Sequence, residues 1–177
     1  MPRSRGFALT RSRALISGRV FRLHEETWRG PDGRTFSRHT ILHPGAVAIL
    51  PVTAKGTFLL IRQFRAAARG WLLEIPAGTL EAGERPLACA KRELIEETGF
   101  AARTWKRLGA IFVAPGYSNE VIHLFEASGL SPAHAEQDED EHIELEEMTR
   151  AELRRAVARG RIRDGKSLSA IHLSGRG

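Results

Sequence analysis

Residues 78–100 read GTLEAGERPLACAKRELIEETGF, and this stretch decides how the rest of the chain is interpreted. Pro86 is typical of the first turn of an α-helix, because its missing N–H needs no partner there. Gly99 is typical of the residue that follows a helix, where the backbone turns left-handed. The segment between them therefore predicts one helix, preceded by a glycine-containing loop.

The acidic residues of this helix are predicted to gather on one face. At 3.6 residues per turn, Glu93, Glu96 and Glu97 stand at positions i, i+3 and i+4, so their carboxylates project from a single turn. Neighbouring negative charges repel and destabilise the helix unless a positive charge compensates them. A divalent cation such as Mg²⁺, which prefers oxygen ligands, supplies that charge. Arg92 can orient these carboxylates, and Glu84 adds a fourth from the approach loop.

The other side of the helix carries apolar residues. We expect Leu87, Leu94 and Ile95 to pack against a sheet. Cys89 is expected to be a small buried hydrophobic residue without a chemical role. Taken alone, an acidic pair on a helix is more often a solvated surface than a set of ligands, so the interpretation depends on the whole spacing.

That spacing resembles the complete signature of the Nudix family. The fixed positions of the signature are matched by Gly78, Glu84, Arg92, Glu93, Leu94, Glu96, Glu97, Gly99 and Phe100. The resemblance implies an α/β fold, namely an α/β/α sandwich around a mixed β-sheet. It also implies hydrolysis of a nucleoside diphosphate that is linked to another group.

The resemblance assigns roles to residues of this box. The implied metal ligands are Glu93, Glu97, Glu96, Glu84 and the backbone carbonyl of Ala77. Glu93 and Glu97 are the principal ligands, and Arg92 and Glu96 are candidates for the catalytic machinery. The implied ion is Mg²⁺, for which Mn²⁺ or another divalent cation can substitute.

The flanks of the box are similar to those of Nudix enzymes that act on ADP-ribose. Pro115 stands sixteen residues after Gly99, in the sequence PGYSNE. Further similar segments lie at residues 62–65, 73–78 and 164–167. The implied reaction cleaves ADP-ribose to AMP and ribose 5-phosphate. Because the box fixes the chemistry but not the nucleotide, GDP-mannose or another nucleotide sugar is the alternative. A ligand-binding regulator without activity is a second alternative, which the intact box disfavours.

The ADP-ribose resemblance also places a catalytic glutamate on a loop before a late strand. Glu139 and Glu141 both match that position. The role is either to bind an extra metal or to accept a proton from the attacking water, and we favour Glu141. Arg65 is the first candidate for holding the diphosphate, because two N–H groups of one guanidinium can donate hydrogen bonds to two phosphate oxygens at once. Arg38 is the second candidate.

Three further residues are candidates for substrate binding. In the family, aromatic residues of N-terminal strands often enclose the adenine, so Trp28 is a candidate. Packing of Trp28 on the core is an equally good interpretation. Pro115 and Ser118, in the loop after the box, complete the set.

Turn-forming and apolar residues outline the other elements. Residues 1–13 are expected to form an arm. Strands are predicted at residues 15–23, 35–42, 45–52, 57–64, 71–75, 108–113 and 120–126, and helices at residues 149–158 and 167–173. We expect residues 1–42 to be an N-terminal arm and antiparallel strand region that forms a homodimer. Residues 43–177 are expected to be the Nudix hydrolase domain.

Composition limits the partners of the chain. The 177 residues carry a net charge of +6 and one cysteine, Cys89, which excludes an internal disulfide. The longest apolar runs are far shorter than the roughly 18 residues of a membrane-spanning helix, and no secretory signal is seen. We therefore expect a cytoplasmic protein without a membrane partner. The arginines favour a small phosphate-bearing ligand, a nucleotide sugar. Because they are not interleaved with aromatic residues, nucleic acid is not an expected partner.

Overall fold

The computed structural model describes residues 6–134 and 143–176. In those residues the strands are β1 (Ala8–Ser17), β2 (Arg22–Arg29), β3 (Thr35–Leu42), β4 (Ala46–Val52), β5 (Phe58–Arg65), β6 (Gly70–Glu74), β7 (Ala77–Thr79), β8 (Phe100–Phe112), β9 (Val121–Pro132) and β10 (Ile143–Met148). The helices are α1 (Pro86–Thr98), α2 (Arg150–Ala158) and α3 (Gly165–Leu173), with a short 3-10 turn at Ala66–Ala68. These elements form two compact units, Met1–Gly45 with Phe112–Glu120, and Ala46–Ile111 with Val121–Gly177.

The N-terminal unit contains the antiparallel sheet β1-β2-β3. The predicted strand at residues 35–42 is confirmed, and the turn before it is closed by the Gly30 N–H, which donates to the Arg34 carbonyl at 2.8 Å. The predicted strand at residues 15–23 is wrong. A turn interrupts it, in which the Gly18 N–H donates to the Phe21 carbonyl at 2.9 Å. Residues 8–13 of the expected arm are also part of β1, because they pair with β2.

A loop of the same unit runs beside β3. The Ile41 N–H donates to the Tyr117 carbonyl at 2.7 Å, and the Asn119 N–H donates to the Ile41 carbonyl at 3.1 Å. The Asn119 side-chain oxygen accepts from the His43 N–H at 2.7 Å. These bonds fix residues 114–119, which include the predicted site residues Pro115 and Ser118, against the end of β3.

The second unit is built on a mixed sheet in the order β10-β5-β4-β9-β8. Strands β4 and β9 are parallel, whereas β10 and β4 each pair antiparallel with β5. Strand β6 pairs with β5, and the short strand β7 pairs with β4. The mixed sheet is therefore confirmed. Strand β7 was not predicted, because three residues around Gly78 carry no apolar alternation.

Every residue of β4 is buried, because helices cover both faces of this sheet. Ala46, Ala48, Leu50 and Val52 belong to one core, together with residues of α2 and α3 such as Leu153 and Ile171. Val47 and Ile49 belong to the other core, together with Cys89, Ala90 and Leu94 of α1. Alternate side chains of a strand point to opposite faces. The α/β/α sandwich is therefore confirmed.

The helices lie close to their predicted positions. Helix α1 begins at Pro86, and Gly99 follows it with φ of 72°, as expected for a residue that ends a helix. Leu94 and Cys89 are buried as predicted, but Leu87 is 40% exposed. The prediction for Leu87 is wrong because it lies in the first turn of α1, where it lines an open cavity with Trp105 and Phe125. None of the described helices is both long and apolar enough to span a membrane.

Candidate active site

Arg92 is the centre of the carboxylate cluster on α1. Its terminal nitrogens donate to Glu93 Oε1 at 2.7 Å, to Glu96 Oε2 at 2.8 Å and to Glu84 Oε2 at 3.1 Å. The hydrogen bond from Arg92 holds the pKa of Glu84 below its usual value. The same hydrogen bond is the main reason that the pKa of Arg92 is raised. The predicted role of Arg92 in orienting carboxylates therefore agrees with these contacts, and its charge offsets the repulsion among the glutamates.

Glu97 occupies the buried end of the cluster. Its side chain is buried, and its Oε2 accepts a hydrogen bond from the Ala77 N–H at 2.8 Å. A buried carboxylate needs such a donor, because leaving water without one is costly. The structure thus joins α1 to β7 through Glu97. The sequence indicated the Ala77 carbonyl as a metal ligand but gave no indication that the amide of the same residue binds Glu97.

Gly78 allows Glu93 to lie against the backbone of β7. A Cβ atom at this position would overlap the carboxylate group of Glu93. Strand β7 is fixed in turn by β4, where Val47 is paired with Gly78. The glycine of the box is therefore required by a close approach of side chain to backbone, not by an unusual dihedral angle.

The donor set fits a hard divalent cation. Glu84, Glu93, Glu96 and Glu97 offer only oxygen atoms, which Mg²⁺ and Mn²⁺ prefer. Three of the four are bonded to Arg92, and Gly78 makes room for the carboxylate of Glu93. In residues 6–134 and 143–176, no three Asp, Glu, His or Cys side chains form a ready-made metal cluster. These carboxylates would therefore have to move relative to Arg92 to bind a metal together.

Cys89 lies beside this cluster but is not a reactive thiol. It is fully buried, and burial raises its pKa to about 12, with Glu93 adding to the shift. A thiol with that pKa is protonated at neutral pH and is a poor nucleophile.

The N-terminal unit contains a separate cavity of about 630 Å³. Four predicted substrate-binding residues line it, namely Trp28, Arg38, Pro115 and Ser118. The Trp28 indole N–H donates to Glu26 Oε2 at 3.3 Å, and the Arg38 guanidinium lies 4.9 Å from the centre of the Phe36 ring. Trp28 is thus part of the cavity wall. A cavity with aromatic walls and a few polar groups is typical of a ligand-binding site.

Sequence reasoning missed Glu26 and Phe36 at this cavity. Glu26 is buried, and its Oε2 accepts hydrogen bonds from both Trp28 and Thr40. The alternation of side chains along β2 places Glu26 on the same face as Trp28, so a correct assignment of β2 would have indicated it. The predicted strand at residues 15–23 hid that alternation.

Arg65, the first candidate for the diphosphate, lies at the end of β5. Its Nε donates to Glu74 Oε1 at 2.6 Å, and Glu74 is also paired with Lys166 at the start of α3. No role was predicted for Glu74 or Lys166. The available signal was a charged residue inside the apolar run of β6. Glu139 and Glu141, the candidates for proton acceptance, lie outside the described residues.

The profile of the NUDIX domain matches residues 42–170 of the chain. The chain belongs to the Nudix family. This Nudix protein is 39% identical over 159 residues to an ADP-ribose pyrophosphatase of Bacillus subtilis. The matched region covers 89% of the chain and 86% of the relative. It is 34% identical over 171 residues to a GDP-mannose pyrophosphatase of Yersinia enterocolitica, with 89% of each protein covered.

A solved structure supports the fold of this Nudix protein. A crystal structure of an ADP compounds hydrolase superimposes with a TM-score of 0.84 at 22% identity. The likeness covers 96% of the chain and 92% of that protein. The matched NUDIX domain begins at residue 42, so β1, β2 and nearly all of β3 precede it.

Proposed function

We propose that this Nudix enzyme hydrolyses the pyrophosphate bond of ADP-ribose, releasing AMP and ribose 5-phosphate in a Mg²⁺-dependent reaction. The observation that carries the proposal is the group of glutamates bound by Arg92, one of which, Glu93, lies against Gly78. The ADP-ribose pyrophosphatase of Bacillus subtilis, at 39% identity, supports the choice of substrate.

Five groups are proposed to hold the metal. They are the carboxylates of Glu93, Glu97, Glu96 and Glu84 and the backbone carbonyl of Ala77. A divalent cation bound there would lower the pKa of a bound water and neutralise charge on the phosphoryl group. Arg92 is proposed to orient Glu93 and Glu96, the two carboxylates it contacts most closely. Mn²⁺ or another divalent cation can replace Mg²⁺, because the ligands are all oxygens.

Five residues are proposed to contact the substrate. Arg65 is proposed to bind the diphosphate, because a guanidinium group binds phosphate oxygens in pairs. Arg38 is the second candidate for the diphosphate. Trp28 is proposed to bind the base, and Pro115 and Ser118 are further proposed substrate contacts; these four residues line the cavity of the N-terminal unit. Glu141, or else Glu139, is proposed to accept a proton from the attacking water, on the resemblance to ADP-ribose enzymes.

GDP-mannose is the second candidate substrate. The relative in Yersinia enterocolitica that is named a GDP-mannose pyrophosphatase is 34% identical to the chain. The same carboxylates would serve either substrate, and only contacts to the base and sugar would differ. ADP-ribose is preferred, because the relative with that name has the higher identity. A regulator without activity is disfavoured, because Gly78 and all the box glutamates are present.

We also propose that the enzyme is a cytoplasmic homodimer that acts on a small nucleotide sugar and binds neither nucleic acid nor membrane. Every residue of β1 is exposed, including Leu9, Leu15 and Ile16. Long strands with exposed apolar side chains favour pairing with another copy of the chain. Sedimentation of the purified protein tests this, and a monomer at micromolar concentration would contradict it.

A hydrolysis screen tests the proposed reaction. Purified protein is incubated with ADP-ribose, GDP-mannose, ADP-glucose, NADH or diadenosine polyphosphates, each with Mg²⁺ or Mn²⁺. We expect the highest kcat/KM for ADP-ribose, with AMP and ribose 5-phosphate as products. A preference for GDP-mannose would replace the proposed substrate, and no turnover of any compound would refute the enzymatic function.

A further inference from the structure

Glu74 is a buried carboxylate that two cations share. It lies at the end of β6 and is 1% exposed. Arg65 Nε donates to Glu74 Oε1 at 2.6 Å, and Lys166 Nζ donates to Glu74 Oε2. A buried charge is stable only when it is paired and hydrogen-bonded, so both contacts are needed to offset its desolvation.

Lys166 is itself held in place. Its Nζ donates to Asp164 Oδ1 at 3.0 Å, and the same oxygen accepts from the Ser167 N–H at 3.0 Å at the start of α3. The Ser167 hydroxyl accepts a hydrogen bond from the Ile75 N–H at 2.9 Å. The start of α3 is therefore fastened to the residue that follows Glu74, and the lysine ammonium cannot easily leave Oε2.

Arg65 binds Glu74 through its Nε–H alone. A guanidinium group has five N–H donors, of which the Nε–H is used here. In the part of the chain that the structure describes, this is the only hydrogen bond of the Arg65 side chain, which is 37% exposed. Its two terminal nitrogens are thus available to an anion in the paired geometry that phosphate oxygens accept.

We propose that Lys166 is a positioning residue, which acts through Glu74 to keep Arg65 available for a diphosphate. Lys166 draws Oε2 toward the start of α3, away from a second N–H of Arg65, so that Glu74 binds Arg65 through Oε1 alone. Without the lysine, the carboxylate would take a second N–H from Arg65 in the bidentate arrangement that carboxylates and guanidinium groups favour. Arg65 would then present one fewer donor to the ligand. This inference rests on the proposed function, since it assigns a diphosphate to Arg65.

Steady-state kinetics with ADP-ribose test the proposal. We expect Lys166→Met to raise KM about tenfold or more with little change in kcat, the effect of losing one charge-assisted hydrogen bond to substrate. Lys166→Arg, which can still bind Oε2, should recover most of the affinity. In an Arg65→Lys background, Lys166→Met should add little further increase, because the two residues act in series.

A matched control separates positioning from stability. Arg176→Met breaks another partly buried ion pair, in which Arg176 Nη2 lies 3.2 Å from Glu126 Oε1. It should lower the thermal midpoint without raising KM. If it raises KM as much as Lys166→Met does, or if Lys166→Met leaves KM unchanged, the proposal is refuted. If Lys166→Met does not fold, Lys166→Gln takes its place. Its neutral amide can still donate to Oε2 but binds it more weakly, so KM should rise by less than tenfold, and an unchanged KM would refute the proposal.

Direct binding distinguishes failure of this inference from failure of the proposed function. The Kd for ADP is measured by titration calorimetry for the wild-type chain and for Lys166→Met. Wild-type protein that binds ADP but does not hydrolyse ADP-ribose would refute the reaction alone, and an increased Kd in Lys166→Met would still support the role of Lys166. An equal Kd in both proteins would refute that role.

Discussion

Replacement of Gly78 by alanine tests how closely the active site is packed. The added Cβ would overlap the carboxylate of Glu93, which is the far end of a flexible side chain and can swing away. Glu93 would then lose the hydrogen bond that Arg92 Nη1 donates at 2.7 Å. Arg92 keeps Glu84 and Glu96 as partners and is partly exposed, so we expect a cost of about 1–2 kcal/mol.

The effect of Gly78→Ala on turnover should be much larger than its effect on stability. At about 2–4 °C for each kcal/mol in a chain of this size, the thermal midpoint should fall by only a few degrees. Displacement of a proposed metal ligand by about 1 Å or more should lower kcat by about 10²-fold. Thermal unfolding and hydrolysis of ADP-ribose at saturating Mg²⁺ measure the two effects.

Gly165→Ala is the matched control for this experiment. A Cβ atom at Gly165 would meet no atom within 4 Å. This variant should therefore keep wild-type turnover and an unchanged or slightly higher thermal midpoint. Normal turnover in Gly78→Ala would refute the reasoning, because Glu93 would then not need its position against β7. Loss of the folded state would refute it too, because the overlap could then not be relieved by one side chain.

Three further outcomes are expected. Glu93→Gln and Glu97→Gln should each lower turnover by about 10²-fold or more while the fold persists, and near-normal activity at saturating Mg²⁺ would contradict the ligand assignment. Removal of divalent cations with EDTA should abolish hydrolysis reversibly. It should change the thermal midpoint little, because Arg92 already offsets the charges of the carboxylates. A large drop in the thermal midpoint would contradict this. Thr149→Ala should cost about 1 kcal/mol at pH 7 through loss of the cap of α2. Hydrogen bonds from Thr149 hold the pKa of Glu152 below its ordinary value of 4.5. The stability they give is therefore present above that value and is lost as the pH falls through the lowered pKa. Denaturant unfolding should show the variant's deficit narrowing at low pH, and a constant deficit would contradict the assignment.

Local signals were sufficient to predict helix α1 and the positions of its glutamates. Pro86 and Gly99 mark the ends of α1, and spacing alone places Glu93, Glu96 and Glu97 together. These features depend on contacts within one or two turns. The fourth acidic residue, Glu84, lies in the approach loop and also binds Arg92, a contact that was not predicted.

Features that depend on distant partners were harder to predict. Strand β1 is exposed along its whole length, so it has no buried face to produce an apolar alternation, and its pairing with β2 stabilises it. The bond from the Ala77 N–H to Glu97 joins residues 20 apart, and that from Lys166 to Glu74 joins residues 92 apart. Such contacts follow from the arrangement of the sheet and the helices, which no local pattern encodes.

The alternation of β4 between two cores has a consequence for how this enzyme can diverge. Val47 and Ile49 support α1, whereas Ala48 and Leu50 support the helices on the opposite face. Mutations at the first pair would disturb the packing of α1, while those at the second pair would disturb the packing of α2 and α3. A single strand thus constrains both layers at once, since it supports the carboxylates of α1 on one face and the helix that carries Lys166 on the other.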